Sequence, residues 1–137
     1  MSISARVDGL EPLLAKLETM KRTMGVKIAR RAIGAGTKIL LREAKAKTPR
    51  RHGLLKKSQG RKIKVYRQSG TVVGIVGPRT GFGTVIKGKK VDPVKYGPIV
   101  EARTRFMTQA RDSAKGAVAS AIKTELAAGI EQEARSA

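Results

Sequence analysis

Residues 21–95 carry 22 Lys and Arg against two acids, Glu43 and Asp92, so this stretch alone holds the formal +20 of the whole 137-residue chain. The first 20 residues sum to −1 and residues 96–137 to +1. Lysine and arginine are almost never fully buried unless paired, and two acids cannot pair 22 cations. Each element in this stretch must keep a charged face outward and bury the remainder. Such a block calls for a polyanionic partner, an acidic protein surface, or both.

At this length the chain is expected to form a single domain, residues 1–137, with a modest core. Its apolar residues are largely Ala, Val, Ile and Leu, and its aromatics are Tyr66, Tyr96, Phe82 and Phe106 alone. A monomer built this way has a thin core, which association with other copies would help to complete. The absence of Cys excludes a disulfide framework and a thiolate metal site. Residues 1–8 lack the apolar core of a signal peptide, and no apolar run approaches the roughly 18 residues that cross a bilayer. A soluble product made in the cytoplasm, with no membrane partner, is the expectation.

Ile3, Ala5 and Val7 alternate as in a short strand, and Asp8-Gly9 turns the chain. Leu10, Leu13, Leu14 and Leu17 predict a short helix with Pro12 in its first turn, and Gly25 reads as a break. A longer helix is predicted from about Val26 to about Lys47, with Ile28, Ala32, Ala35, Ile39 and then Arg42 or Glu43 along its inner stripe. Lys27, Arg30, Arg31, Lys38, Arg42 and Lys45 lie on its opposite face. Gly34 and Gly36 each cost up to about 1 kcal/mol there, which close approach of a neighbouring backbone would explain. Pro49 ends the helix. A basic loop over residues 49–60 then leads to two strands, Arg61–Arg67 and Thr71–Val76, turned by Gln68-Ser69-Gly70. Lys62 and Lys64 mark one face of the first strand as solvated or partner-facing. Residues 77–95 are predicted as an extended loop or arm, with Thr84–Ile86 and Lys90–Asp92 pairing around Gly88. Tyr96–Ala102 reads as a short helix or strand. Residues 107–134 read as a last helix with Ala110, Ala114, Ala117 or Val118, Ala121 or Ile122, and Leu126 on one side. The fold class is α+β. A small antiparallel sheet, a hairpin plus short strands, packs with a long central helix and a C-terminal helix, and an arm covers about residues 77–95.

Residues 83–90, Gly-Thr-Val-Ile-Lys-Gly-Lys-Lys, nearly match the phosphate-loop pattern, but Lys90 stands where a Mg²⁺-binding hydroxyl is required. Pro93 also falls where the following helix should run, so the segment reads as a basic hairpin. His52 is the single histidine and lies between Arg50, Arg51 and a glycine, far from any carboxylate in sequence. The ten acids form no pair suited to metal binding or glycoside chemistry. No catalytic residue, metal site or cofactor is indicated, and the chain is not read as an enzyme. Nucleic-acid binding is the reading that the charge supports directly, through the long helix, residues 50–57 and the 61–67 strand. It would be non-specific, because base-reading motifs and stacking aromatics are lacking.

A second set of features is carried by motifs in order. Residues 44–58, Ala-Lys-Ala-Lys-Thr-Pro-Arg-Arg-His-Gly-Leu-Leu-Lys-Lys-Ser, run from an Ala-Lys helix end through a Pro to a Leu and a basic pair before Ser. Val7-Asp8-Gly9-Leu10 precedes the leucine-rich helix, and residues 72–78 read Val-Val-Gly-Ile-Val-Gly-Pro. Tyr96-Gly97-Pro98-Ile99-Val100-Glu101 and Phe106-Met107-Thr108-Gln109-Ala110 follow. This ordered set resembles the tail-completion, or head–tail connector, proteins of long-tailed bacteriophages. His52 replaces a usual Thr, Ala102-Arg103 replaces a frequent Gly, and the prolines around the Phe are missing.

The resemblance implies a structural virion protein of the phage neck, made in the host cytoplasm. Copies would form a ring, typically a hexamer, that closes the tail tube and meets the head-side connector. Double-stranded DNA would pass through the lumen. Tyr96, Val100, Glu101 and Phe106 are then subunit-interface residues, and Lys87, Lys89 and Lys90 belong to an arm reaching a neighbour. Arg42, Lys45, Arg50, Arg51, Lys56, Lys57, Arg61, Lys62 and Lys64 are contacts for partner proteins or the DNA backbone. A lumen lined by all 22 cations would hold phosphates and resist sliding, so most of them are expected to face acidic protein neighbours. The alternative is a free-standing basic nucleic-acid-binding protein, which explains the charge but not the ordered motifs.

Overall fold

Two long antiparallel helices, α2 (Arg22–Lys47) and α5 (Phe106–Ser136), set the frame. At 1.5 Å per residue they run about 39 and about 46 Å. The computed structural model describes residues 10–18, 22–49, 53–66, 68–69 and 71–136. The strand expected over residues 3–8, the Asp8-Gly9 turn and part of the 67–70 turn lie outside them. The remaining elements are α1 (Glu11–Glu18), α3 (Leu54–Ser58), β1 (Gln59–Tyr66), β2 (Thr71–Pro78), β3 (Thr84–Ile86), β4 (Lys89–Val91) and α4 (Pro93–Thr104). The chain is α+β, with two separate two-stranded antiparallel sheets, β1–β2 and β3–β4.

α2 is the middle layer, with α5 on one side and the β1–β2 hairpin on the other. It runs unbroken through Gly25, where a break was expected. It ends before Pro49, and the Thr48 hydroxyl turns back to donate to the Ala44 carbonyl. Because α2 is covered on two sides, its buried surface is wider than a single stripe. Ile28, Ala32, Gly36, Thr37 and Ala44 are buried, whereas the predicted Ala35 and Ile39 are only half-buried at the edge. Thr37 is accommodated because its hydroxyl donates to the carbonyls of Ile33 at 2.9 Å and Gly34 at 3.1 Å.

The α2–α5 contact is a reciprocal fit. A Cβ on Gly36 would stand 2.9 Å from Ile122 Cγ1, and a Cβ on Gly129 would stand 2.7 Å from Ile28 Cγ2. Each helix thus offers a glycine notch to an isoleucine of the other. Gly36 is required by side chains of α5, not by the neighbouring backbone expected from sequence. Gly34 is different, since its nearest neighbour is Ile63 Cδ1 at an ordinary 3.4 Å. Further along, Ser113 Oγ donates to Glu43 Oε2 at 3.2 Å.

The β1–β2 register places Gln59 opposite Pro78 and Tyr66 opposite Thr71. Gly74 lets the hairpin seat directly on the Ile33 and Thr37 side chains, whose atoms fill the space a Cβ would need. Ile63 and Val65 are half-buried, while Lys62, Lys64 and Tyr66 alternate with them on the exposed face. The expected basic loop over 49–60 contains α3 and the start of β1. Leu55 is buried there, and the Ser58 hydroxyl donates to the Leu55 carbonyl at 2.7 Å.

The core has two centres. One joins Leu10 of the chain leading into α1 with Ile28, Ala32, Ile122 and Leu126. The other joins Ala44, Leu55, Val76, Phe106, Met107 and Ala110. α5 contributes Ala110, Ala114, Ile122 and Leu126 as the periodicity predicted, and Val118 in preference to the exposed Ala117.

Candidate partner-docking surfaces

α2 presents Lys27, Arg30, Arg31, Lys38 and Arg42 as exposed side chains, with Lys45 half-buried beside them. Their spacing of three, four and seven residues keeps them on one side of the helix. Among the described residues the ion pairs are Arg111–Asp112 and Arg135–Glu131, and both lie on α5. None of these six cations has an acidic partner there.

Arg61 extends this surface from β1. Its Nη1 donates to the Gly34 carbonyl at 2.9 Å and to Thr37 Oγ1 at 3.3 Å, which fixes the guanidinium beside α2. A shallow groove of about 580 Å³ follows, lined by Lys27, Arg30, Arg31, Gly34, Ala35 and Lys38 of α2 and by Arg61 and Ile63 of β1. The periodicity of α2 made its cationic face legible. That Arg61 joins it was not legible, because strand alternation fixes which faces a residue shares but not which helix lies beneath.

Lys62 and Lys64 are exposed on the opposite side of the hairpin, as the alternation in β1 predicted. In α3, Lys57 is exposed and Lys56 half-buried. Arg50, Arg51 and His52 lie outside the described residues. Arg79 is a structural cation that sequence reading passed over. Its Nε donates to the Ser58 carbonyl at 3.1 Å and its Nη2 to the Lys57 carbonyl at 3.2 Å. The same guanidinium sits 4.8 Å from the centre of the Phe82 ring.

Residues 83–90 fold as the basic hairpin, not as a phosphate loop. Thr84 pairs with Val91 and Ile86 with Lys89. Lys87 and Gly88 turn the chain at φ 50° and 78°, the two successive left-handed residues of a tight hairpin. Lys87, Lys89 and Lys90 are exposed, and Val85 is 63% exposed. The arm makes little contact with the rest of the chain. Its two ends meet at the base, where a Cβ on Gly83 would lie 3.9 Å from Asp92 Cβ.

Residues 96–102 belong to the helix α4, whose start is set by Pro93 and by Asp92 Oδ1 accepting from the Val94 N–H at 3.1 Å. The four residues singled out by resemblance face inward or toward α5. Tyr96 and Val100 pack against the Phe106-containing core, and Phe106 is 1% exposed. Burial pushes the Tyr96 phenol up from its ordinary value, against a smaller opposing effect of a backbone hydrogen bond at Leu55. The Glu101 carboxylate accepts from the N–H groups of Met107 at 2.7 Å and Thr108 at 3.3 Å, and from the Thr108 hydroxyl at 2.7 Å. It therefore satisfies the first turn of α5, where backbone N–H groups otherwise lack partners. The outward side of α4 carries Val94, 39% exposed, and Ile99, 57% exposed. Sequence reading missed both, because the inward stripe of α4 could not be assigned.

Among the described residues no group of three or more His, Cys, Asp and Glu comes together to hold a metal ion. No helix among them is long and apolar enough to cross a membrane. No curated protein and no solved structure matches the chain. A family model described as "Bacteriophage HK97-gp10, putative tail-component" matches residues 11–102, from α1 into α4. With two thirds of its length in that match, the chain belongs to the HK97-gp10-like family of phage tail components.

Proposed function

We propose that the chain is a structural subunit of the phage neck. Copies form a ring, six in the reading favoured by resemblance, at the top of the tail tube. The ring closes the tube and joins it to the head-side connector, with duplex DNA passing through the lumen. The role is one of assembly in the virion, without turnover or cofactor.

The observation that carries this reading is a tail-component chain whose outward surfaces are left incomplete. Lys27, Arg30, Arg31, Lys38, Arg42 and Lys45 of α2 lack acidic partners among the described residues, and the arm stands clear of the body. In this reading Lys87, Lys89 and Lys90 reach a neighbouring subunit. Arg42, Lys45, Arg50, Arg51, Lys56, Lys57, Arg61, Lys62 and Lys64 meet acidic protein neighbours, with a subset near DNA. Tyr96, Val100, Glu101 and Phe106 set the α4–α5 elbow from within, and Val94 and Ile99 provide its exposed apolar contacts.

The test is addition of purified protein to tails from a phage lacking this gene, followed by negative-stain electron microscopy and plaque counts. The expected result is a ring at the head-proximal end of the tail and restored joining to heads. A monomer that retards duplex DNA with steep salt dependence, yet never associates with tails, would replace this reading with that of a nucleic-acid-binding protein.

A further inference from the structure

We propose that the groove between α2 and β1 binds an acidic segment of another protein, one that carries an apolar side chain among its carboxylates. The inference rests on the preceding reading only in taking the partner to be protein. Lys27, Arg30, Arg31, Lys38 and Arg61 are all exposed around the groove and none has an acidic partner among the described residues. Arg61 is already held by the Gly34 carbonyl and Thr37, so little side-chain freedom is lost when it meets a carboxylate.

The floor decides between peptide and phosphate. Ile63 is half-buried and lines the groove with Gly34 and Ala35, which offer only hydrogen and methyl among the cations. A phosphodiester backbone has no apolar group to place on that floor, and a duplex is a convex rod that would touch only the rims. A peptide satisfies both parts, with carboxylates to the walls and one aliphatic side chain to the Ile63–Ala35 floor. Glu125 stands at one edge as the lone acid of the groove. It repels a carboxylate at that end and gives the bound segment a direction.

The experiment is fluorescence anisotropy with the full chain at about 150 mM salt, where diffuse surface attraction is largely screened. Three probes are compared: a poly-glutamate peptide, the same peptide with two glutamates changed to leucine, and a short DNA duplex. The leucine-bearing peptide is expected to bind about tenfold more tightly than poly-glutamate despite its lower charge. Arg31→Glu with Lys38→Glu should weaken both peptides about tenfold or more. Ala35→Gln, which fills the floor without changing charge, should remove the leucine advantage and leave poly-glutamate binding unchanged. Lys95→Glu with Arg103→Glu, both exposed on α4 and outside the groove, should change binding less than about twofold.

Equal affinity for the two peptides would overturn the inference. So would DNA binding that exceeds the leucine peptide's and is abolished by Arg31→Glu with Lys38→Glu, which would make the groove a phosphate site. Equal losses from the two charge reversals would show a delocalised field instead of a groove. The isolated chain gives these readings whether or not it joins tails, so failure here leaves the ring proposal standing, and the reverse also holds.

Discussion

A single methyl group is the unit at which α2 and α5 fit. Gly36→Ala places a Cβ 2.9 Å from Ile122, and overpacking of this kind costs about 1–3 kcal/mol. Gly116 lies on the same α5 helix with nothing within 4 Å of an added Cβ. Gly116→Ala is therefore expected to stabilise by up to about 1 kcal/mol through helix propensity. Urea unfolding of the two variants should move in opposite directions, and parallel shifts would refute the notch. Glu101→Ala removes the acceptor of three hydrogen bonds at the start of α5 and should cost about 1–2 kcal/mol in the same assay. The two glycines look alike in sequence, each a breach of helix propensity. What separates them is the partner, and partners distant along the chain do not show in a local pattern. The same holds for Glu101, whose Tyr-to-Glu motif was readable while its role inside the elbow was not.

Elements were more legible than residues. Leucine spacing gave α1, Pro49 gave the end of α2, and β-branched alternation gave the β1–β2 hairpin. The arm was readable because Gly88 follows Lys87 at a turn that needs two left-handed residues. α3 was missed because five residues rich in Lys show too little periodicity to separate a helix from a loop. The second buried side of α2 was missed because Gly36 and Thr37 are not apolar, although both are buried against neighbours. The arm yields a prediction at this scale. Joining Gly83 to Asp92 with residues 84–91 removed leaves ends that already meet. Such a chain should unfold within about 1 kcal/mol of the parent, because so little packs on the arm. Under the neck proposal it should fail to restore tail-to-head joining in the add-back assay. Full restoration would remove the arm from the assembly role.

For the molecule as a whole, the net +20 acts against its own compactness. Raising salt from about 20 to about 200 mM shortens the screening length from roughly 20 to roughly 7 Å. Thermal unfolding should therefore move to higher temperature over that range, and a flat or falling midpoint would mean that acids within the chain already neutralise the cationic face. The α2 surface that lacks acidic partners has one more consequence. Two free copies approach as bodies of like sign, so under the neck proposal closing a ring from them at low salt is uphill. On that proposal an acidic partner has to arrive first, and it then serves as the template that sets when and where the copies gather.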